Sequence, residues 1–320
     1  MKPRKILKSA SVAMLAATAI FAFAAAPASA VAPIPGRIFA LSDVGGARGD
    51  LFRTTLTGWK RLTFGLDFPE EVAADPRGKF AVLCATKTPG GTYRIYRVGA
   101  NGGPVKNLIG NRRGCAPTVS PDGRKVAYIQ RGPTGPSLLK VVSAKGGKPR
   151  TIYRFCGSCM YQPKWGGKRI YFERRITNDF SADSEIYSVR ARDGKGLRQV
   201  TNDEGSPRDF ELMDVSPDGR EILAVVDDST SFSPAARIRV LSPTGGLIRP
   251  VWTLSGPTLS DYLGPASFSP SRDVILTTSS DPLISISTLI AYKNVPDIGV
   301  FVTPPGPSTV GIYGLDWVRR

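Results

Sequence analysis

Two groups of carboxylates are the residues of this chain whose types and spacing could support catalysis. Asp227 and Asp228 are adjacent, and Asp209, Glu211 and Asp214 follow one another closely. Paired carboxylates serve as general acid, general base or nucleophile in many hydrolases. Neither group has a defined spacing to a partner residue, and adjacent acids in one loop more often form a solvated surface. The two groups therefore favour no specific reaction.

The chain contains no histidine. This excludes Ser-His-Asp and Cys-His catalysis, histidine-ligated metals and the commonest general base near neutral pH. Nucleophile-elbow, phosphate-loop and dinucleotide-binding motifs are also missing from the sequence. We therefore predict a non-catalytic binding or scaffold protein. The alternative is an enzyme that works through carboxylates, such as a lyase or a glycosidase.

Oxygen ligands for calcium are present in two predicted loops, but neither loop matches a known calcium-binding pattern. We therefore predict no cofactor and leave a structural calcium ion open. The residues concerned are Asn178, Asp179 and Asp183 in one loop, and Asn202, Asp203 and Glu204 in the other.

A repeated turn shows which elements must position these side chains. Ser120-Pro121-Asp122-Gly123 has the residue preferences of a type I turn, and a short β-branched and aromatic strand follows it. The unit recurs at Ser216-Pro217-Asp218-Gly219. Looser copies begin at Asp75, Trp165 and Ser269.

The copies recur at a regular interval. The residues just before the turns are 45 to 53 positions apart, and each interval also holds a second strand, a Gly-rich hairpin and a third strand; these residues are Ala74, Val119, Trp165, Val215 and Phe268. Four strands in a repeat of this length indicate the blade of a β-propeller. We expect the large side chains among them to fill the space between blades.

The two ends of the chain indicate how the ring closes. Residues 37–41 read as a strand that follows a turn, without a turn unit before it, and Trp317 continues the period 49 residues after Phe268. The C-terminal strand can therefore complete the blade that the N-terminus begins, which removes exposed sheet edges. The sequence predicts an all-β, six-bladed propeller of four-stranded antiparallel blades over residues 31–320.

The repeated Ser-Pro-Asp-Gly turns resemble the WD-repeat-like propeller repeats of the TolB family. Residues 60–63, Lys-Arg-Leu-Thr, and 198–201, Arg-Gln-Val-Thr, resemble the strand ends of that family. The resemblance covers the whole chain after residue 30 and is specific for the fold rather than for a function. We expect the propeller alone, without the N-terminal α/β domain of TolB or the hydrolase domain of prolyl-oligopeptidase-like enzymes.

The first thirty residues have the pattern of a secretory signal peptide. A basic segment, an alanine-rich apolar run and Ala28-Ser29-Ala30 follow in the expected order, so we predict cleavage after Ala30. The expected location is outside the cytoplasm, secreted or periplasmic. A retained membrane anchor is the alternative.

Export makes the four cysteines candidates for disulfides. Cys84 ends a predicted strand and Cys115 lies in the connection to the next blade, so both fall on one face of the ring. We predict Cys84–Cys115 and Cys156–Cys159, and leave pairs of Cys115 with Cys156 or Cys159 open. A redox motif or a four-thiolate zinc site is not favoured by the surrounding sequence.

The formal net charge of +17 suggests attraction to anionic surfaces. Strand alternation places the turns and the Gly-rich hairpins on one face of the ring, where basic residues predominate. The predicted binding residues are Lys125, Lys148, Lys168 and Lys195. We expect this face to hold an anionic wall polymer or membrane surface and the opposite face to engage a specific protein or glycan. Nucleic acid is not an expected partner, and a monomer is expected.

Overall fold

The computed structural model describes the chain within one compact unit, Pro35–Arg320. The predicted signal peptide lies outside the described residues. No helix in the ranges that follow is long and apolar enough to cross a membrane. Those described ranges are 36–43, 49–55, 58–67, 69–131, 136–155, 160–175, 184–202, 209–227, 235–255, 263–272, 274–281, 286–293, 299–302 and 312–318.

Short antiparallel strands account for the regular structure of these ranges. In chain order they are β1 Arg37–Asp43, β2 Gly49–Thr55, β3 Gly58–Arg61, β4 Val72–Ala74, β5 Phe80–Ala85, β6 Arg94–Gly99, β7 Lys106–Asn107, β8 Cys115–Val119, β9 Lys125–Gln130, β10 Ser137–Ser143, β11 Arg150–Phe155, β12 Met160–Gly166, β13 Arg169–Arg175, β14 Ser184–Arg190, β15 Arg198–Gln199, β16 Asp209–Val215, β17 Ile222–Asp227, β18 Ala235–Leu241, β19 Leu247–Ser255, β20 Leu263–Phe268, β21 Val274–Asp281, β22 Ile286–Lys293, β23 Gly299–Val302 and β24 Ile312–Val318.

The blade count differs from the six blades predicted. Consecutive strands form five blades, β4–β7, β8–β11, β12–β15, β16–β19 and β20–β23, which we number 1 to 5. A further four-stranded sheet is not continuous in the chain, because it joins β24 to β1, β2 and β3. We call it the composite sheet. Blades formed by consecutive strands therefore number five, not six. The composite sheet is counted separately because β24 is far from β1, β2 and β3 in the chain.

The inner strands of these sheets surround a central axis. Each of β4, β8, β12, β16, β20 and β24 contacts the next, and β24 contacts β4. The composite sheet closes the ring through the antiparallel β1–β24 pair, with Ile38 opposite Trp317. The inner strands β8, β12, β16 and β20 each carry a β-bulge, which bends the strand and increases its twist.

The residue types of the Ser-Pro-Asp-Gly turns are explained by their hydrogen bonds. The Gly123 amide donates to the Ser120 carbonyl over 2.7 Å, which closes the turn. The Ser120 hydroxyl donates to Asp122 Oδ1 over 2.6 Å and accepts from the Lys125 amide over 2.9 Å. Asp122 Oδ1 also accepts from the Arg124 amide. The Ser216 turn repeats these contacts, so serine and aspartate hold the start of the following strand.

In two sheets, a threonine just after the outer strand, β3 or β15, holds a buried carboxylate. The Thr63 hydroxyl donates to Asp50 Oδ1 over 2.9 Å and accepts from the Leu51 amide over 2.9 Å. Thr201 makes the same pair of contacts, to Glu185 and to the Ile186 amide. The strand ends that resemble the TolB family therefore have a structural role, because each threonine fixes the outer strand to its neighbour.

The hydrophobic core lies between neighbouring sheets rather than in one central cluster. One cluster joins the composite sheet to blade 1, and it includes Phe39, Leu51, Leu83 and Tyr96, all fully buried. Further clusters join blades 1 and 2, 2 and 3, 3 and 4, and 4 and 5. Each sheet therefore depends on its neighbours for burial of its apolar residues.

Neighbouring blades approach closely at Gly194 but not at Gly103, so we expect alanine to reduce the stability more at Gly194. Gly194 and Gly103 both have positive φ, at +72° and +101°. A Cβ at Gly194 would lie 1.7 Å from the Ile152 carbonyl oxygen, whereas a Cβ at Gly103 would meet nothing within 4 Å. We expect Gly103→Ala to cost about 1–2 kcal/mol from backbone strain alone. Gly194→Ala should cost at least about 3 kcal/mol, since overpacking adds to that strain. Urea denaturation measures both, and equal losses would contradict the contact.

Candidate functional site

A cavity of about 370 Å³ opens around the axis of the ring, at the end of the inner strands where the turns lie. We call that side of the ring the turn face and the opposite side the loop face. All five blades and the composite sheet contribute to the cavity wall. A site built by every sheet at once is the usual place for a ligand in a ring of this kind.

Prolines and two arginines surround the mouth of the cavity. The prolines occupy the second position of four turns, and they are Pro76, Pro121, Pro217 and Pro270. Arg77 donates to the Asp122 carbonyl of the next blade over 2.7 Å, and Arg272 donates to Asp218 Oδ2 over 3.0 Å. The mouth therefore combines apolar rings with arginines that pair with Asp75 and Asp218, and contacts between blades hold it in place.

Deeper in the cavity, one residue from each inner strand forms a ring. Each of them stands one position before a residue of the repeat alignment, and they are Ala73, Thr118, Lys164, Asp214, Ser267 and Asp316. Four of them accept a hydrogen bond from a backbone amide of the next sheet. The bonds run from the Trp165 amide to Thr118 (3.0 Å), Phe268 to Asp214 (2.9 Å), Trp317 to Ser267 (3.1 Å) and Ala74 to Asp316 (2.6 Å). These contacts join the sheets around the axis.

Two members of this ring cannot act in the same way. Ala73 has no side-chain oxygen, and the Lys164 ammonium is a donor only. At the junction that follows Lys164, the Val215 amide donates instead to Oδ1 of its neighbour Asp214 over 2.7 Å. Lys164 therefore has no part in joining the sheets, although it lies at the same level of the cavity as the residues that do.

Burial of carboxylates near Lys164 changes their acidity. Desolvation, followed by the charge of Asp214, raises the pKa of Asp316 to about 7. Desolvation also raises the pKa of Asp214 and raises that of Glu71 to about 7. The Lys164 charge lowers all three pKa values. Protonation of this part of the cavity therefore changes close to neutral pH.

The raised pKa of Asp316 predicts that stability falls as pH rises. Its ordinary value is 3.8, so between about pH 4 and pH 7 the folded chain binds more protons at this site than the unfolded chain. Stability then declines with pH across that window. We expect a decline of about 1–3 kcal/mol between pH 5 and pH 8. Asp316→Asn keeps an acceptor for the Ala74 amide but removes the titration, so its stability should depend less on pH in urea unfolding. An unchanged slope would contradict this assignment.

The acidic groups considered for catalysis meet at one point of the backbone, where Asp209 lies opposite Asp227 in the β16–β17 pair, but the three described side chains have different partners. Asp209 Oδ1 accepts from the Ser184 amide of blade 3 over 2.8 Å. Glu211 Oε1 accepts from the Gln162 amide group over 3.0 Å. Asp214 instead contacts blade 5, on the opposite side of its own blade. The Asp227 side chain and Asp228 lie outside the described residues.

The two cysteines of one predicted pair lie close together. Cys84 and Cys115 have their sulfur atoms at bonding distance and their Cα atoms 5.0 Å apart. Cys156 and Cys159 lie outside the described residues. A carboxylate oxygen of Glu70 lies 3.3 Å from the Cys115 sulfur and 3.9 Å from the Cys84 sulfur. These three residues would form a potential metal-binding group only with both cysteines reduced.

Of the residues considered as calcium ligands, Asn202 alone is described, and it accepts a hydrogen bond from Gln199.

The lysines predicted to bind an anionic surface are exposed on the turn face. Lys125 begins β9 directly after a turn, Lys168 belongs to a turn, and Lys148 and Lys195 belong to hairpins. The Ala144 amide donates to the Arg124 carbonyl, and the Ala191 amide donates to the Lys168 carbonyl. Turn and hairpin of one blade therefore lie side by side, on the face where the cavity opens.

The aligned aromatic residues line this cavity as well as the spaces between blades. Phe268 and Trp317 are buried, and Trp165 is half-buried. The residues that sequence analysis missed stand one position earlier, at Lys164 and Asp316. The repeat alignment contained the signal, since a shift of one residue shows acceptor side chains at four positions and a lysine at one.

Comparison with known proteins supports the fold. No protein-family model and no curated protein sequence matches the chain. TolB from Acinetobacter baumannii is 16% identical over 89% of this chain and 67% of its own, with a TM-score of 0.66. A chain of the nidogen–laminin complex is 14% identical over 88% and 98%, with a TM-score of 0.57. An oligogalacturonate lyase from Vibrio parahaemolyticus is 12% identical over 79% and 71%, with a TM-score of 0.52. The protein has a TolB-like β-propeller fold, which serves several functions in these neighbours.

Proposed function

We propose that this protein is an exported, non-catalytic binding propeller that holds an anionic protein or wall polymer of the cell envelope on its turn face. The observation that carries the proposal is the common location of the four exposed lysines and the mouth of the axial cavity. A basic surface attracts anionic partners, and the cavity gives such a surface a place for a specific contact.

The neighbours support a binding role by analogy. The nidogen–laminin structure is a complex of proteins, and a chain of it shares this architecture. Export is supported by the signal-like leader and by the proximity of Cys84 and Cys115, which we propose form a disulfide. A monomer remains our expectation, and so does a second pairing of Cys156 with Cys159.

Charge reversal on the turn face tests the proposal. Lys125, Lys148, Lys168 and Lys195 are replaced by glutamate, and retention on isolated envelope material is measured against salt. We expect the intact protein to be retained and then released as salt rises, because at 0.1–0.15 M screening removes most of the attraction between exposed charges beyond about 8–10 Å. The reversed protein should not be retained.

A matched control reverses basic residues of the loop face. Lys87, Arg112 and Arg113 are exposed in loops or connections of that face. Their replacement by glutamate changes the net charge in the same direction but leaves the turn face unchanged. Retention lost equally in both variants would show a general charge effect. Retention unchanged by the turn-face variant would overturn the proposal.

Catalysis by carboxylates is a second candidate because Asp316 and Glu71 have pKa values of about 7, suited to a general acid. An oligogalacturonate lyase shares the fold. Turnover of polysaccharides, lost in Asp316→Asn or Asp214→Asn with folding intact, would favour this candidate over the binding module.

A further inference from the structure

We infer that Lys164 anchors one carboxylate group of the partner inside the axial cavity. This inference rests on the proposed function and makes it more specific, because it names the chemical group that enters the ring. The surface lysines would attract the anionic partner, and Lys164 would bind one group of it at depth.

The ammonium of Lys164 is available for a ligand. Among the described residues, no hydrogen bond or ion pair within 4.0 Å holds it, and its charge acts on Glu71, Asp214 and Asp316 from a longer distance. The side chain is half-buried and lines the cavity. An ammonium group has three donors, so a lysine in a cavity with no near partner is suited to an incoming acceptor.

The neighbouring carboxylates do not serve as hydrogen-bond partners of Lys164, because backbone amides donate hydrogen bonds to them. Asp316 Oδ2 accepts from the Ala74 amide. Asp214 accepts from the amides of Phe268 and Val215 and from the Ser267 hydroxyl. These hydrogen bonds join neighbouring sheets. Lys164 is the basic residue of the ring, and among the described residues its side chain makes no contact of this kind.

The same acids favour a carboxylate over a dianion as the ligand. A dianion such as sulfate would bring two negative charges close to Glu71, Asp214 and Asp316, which repel it. A carboxylate brings one charge and can share a proton with a protonated carboxyl group. Because the pKa values of Asp316 and Glu71 are about 7, these neighbours are partly neutral near neutral pH. Arg131 also acts on Glu71 and lowers its pKa.

The route to Lys164 fits an extended acidic segment. The mouth offers the proline rings of the four turns and the guanidinium groups of Arg77 and Arg272, which pair with Asp75 and Asp218. A chain that covers the proline rings buries no polar group of theirs that would need a hydrogen bond. A segment that carries glutamate or aspartate can therefore pass the rim and place one carboxylate at the ammonium.

Isothermal titration with hexaglutamate, at pH 6 and low salt, tests the inference. Lys164→Met removes the charge and keeps the aliphatic stem, and Lys87→Met, exposed on the loop face, is the matched control. We expect Lys164→Met to weaken binding at least about tenfold, as loss of a charged hydrogen bond does. Lys87→Met should weaken it less than about threefold, because it removes one exposed charge on the opposite face of the ring.

Two further measurements make the result decisive. Nitrogen-15 lysine spectra of the intact protein should show one ammonium resonance that shifts with hexaglutamate and is missing in Lys164→Met. Inorganic sulfate, which is a dianion at pH 6, should compete poorly at equal ionic strength, and equal competition would overturn the carboxylate assignment. Equal binding by Lys164→Met and the intact protein would overturn the inference. The proposed function would then still stand if reversal of the turn-face lysines abolishes retention on envelope material, and fall if it does not.

Discussion

A chain truncated after Val302 is expected to lose its cooperative fold. The truncation removes β24, which is the inner strand of the composite sheet and contacts both β20 and β4. It also removes Leu315, Trp317 and Val318, which are buried. Burial of each such side chain contributes about 1.5–3 kcal/mol, so their sum is comparable to the 5–15 kcal/mol that stabilises a typical domain.

The loss should extend beyond the missing contacts. Without β24, the edge of β1 is open and the Asp316 contact to blade 1 is gone. An open ring exposes strand edges that pair with other chains. We therefore expect aggregation and no sigmoidal thermal transition by circular dichroism. Truncation after Val318, which removes two residues only, is the control and should melt as the intact chain does. A chain ending at Val302 that stays monomeric and melts within about 5 °C of the intact protein would contradict closure by β24.

Replacement of both Cys84 and Cys115 by serine is expected to destabilise the oxidised protein by about 3–4 kcal/mol. The two cysteines are 31 residues apart, and a cross-link over a loop of that length restricts the unfolded chain by this amount. The bond would also join blade 1 to the inner strand of blade 2, next to the bulge at Ala116 and Pro117. The melting temperature should fall by about 10 °C for a domain of this size.

Two comparisons separate the bond from the packing of buried Cys84. The reducing agent dithiothreitol should lower the melting temperature of the intact protein by about 10 °C more than that of the double serine variant, which keeps only the predicted Cys156–Cys159 bond. Cys156→Ser with Cys159→Ser is the matched pair of substitutions, and it tests the second predicted bond by itself. Melting of the intact protein that is insensitive to reduction would show that Cys84 and Cys115 are not bonded.

The local structure could be predicted from the sequence because each signal acts over a few residues. Proline and glycine fix the turn after Val119, and the serine and aspartate between them make the hydrogen bonds that such turns favour. Alternating strands then place turns and hairpins on one face. The lysines at 125, 148, 168 and 195 were assigned to that face by this reasoning, and they lie there in the structure.

The axial site could not be predicted in the same way, because it depends on long-range contacts. Asp316 meets the Ala74 amide across 242 residues of sequence. Bulges also change the spacing of buried residues on the inner strands, so that Leu212 and Val215 belong to the same cluster although they are three positions apart. Simple alternation of buried and exposed residues therefore fails where the inner strands meet. The repeat alignment shows that Lys164 differs from its counterparts, but its location in an axial cavity follows only from the arrangement of the strands in a ring.

Site-specific photocrosslinking tests the central claim, binding on the turn face, most directly. A photoreactive residue replaces either Lys125 on the turn face or Lys87 on the loop face, both exposed. Each protein is illuminated with isolated envelope material at low and high salt. The account predicts crosslinks from position 125 that weaken as salt rises and few from position 87. Crosslinks from position 87 alone, at either salt concentration, would contradict it.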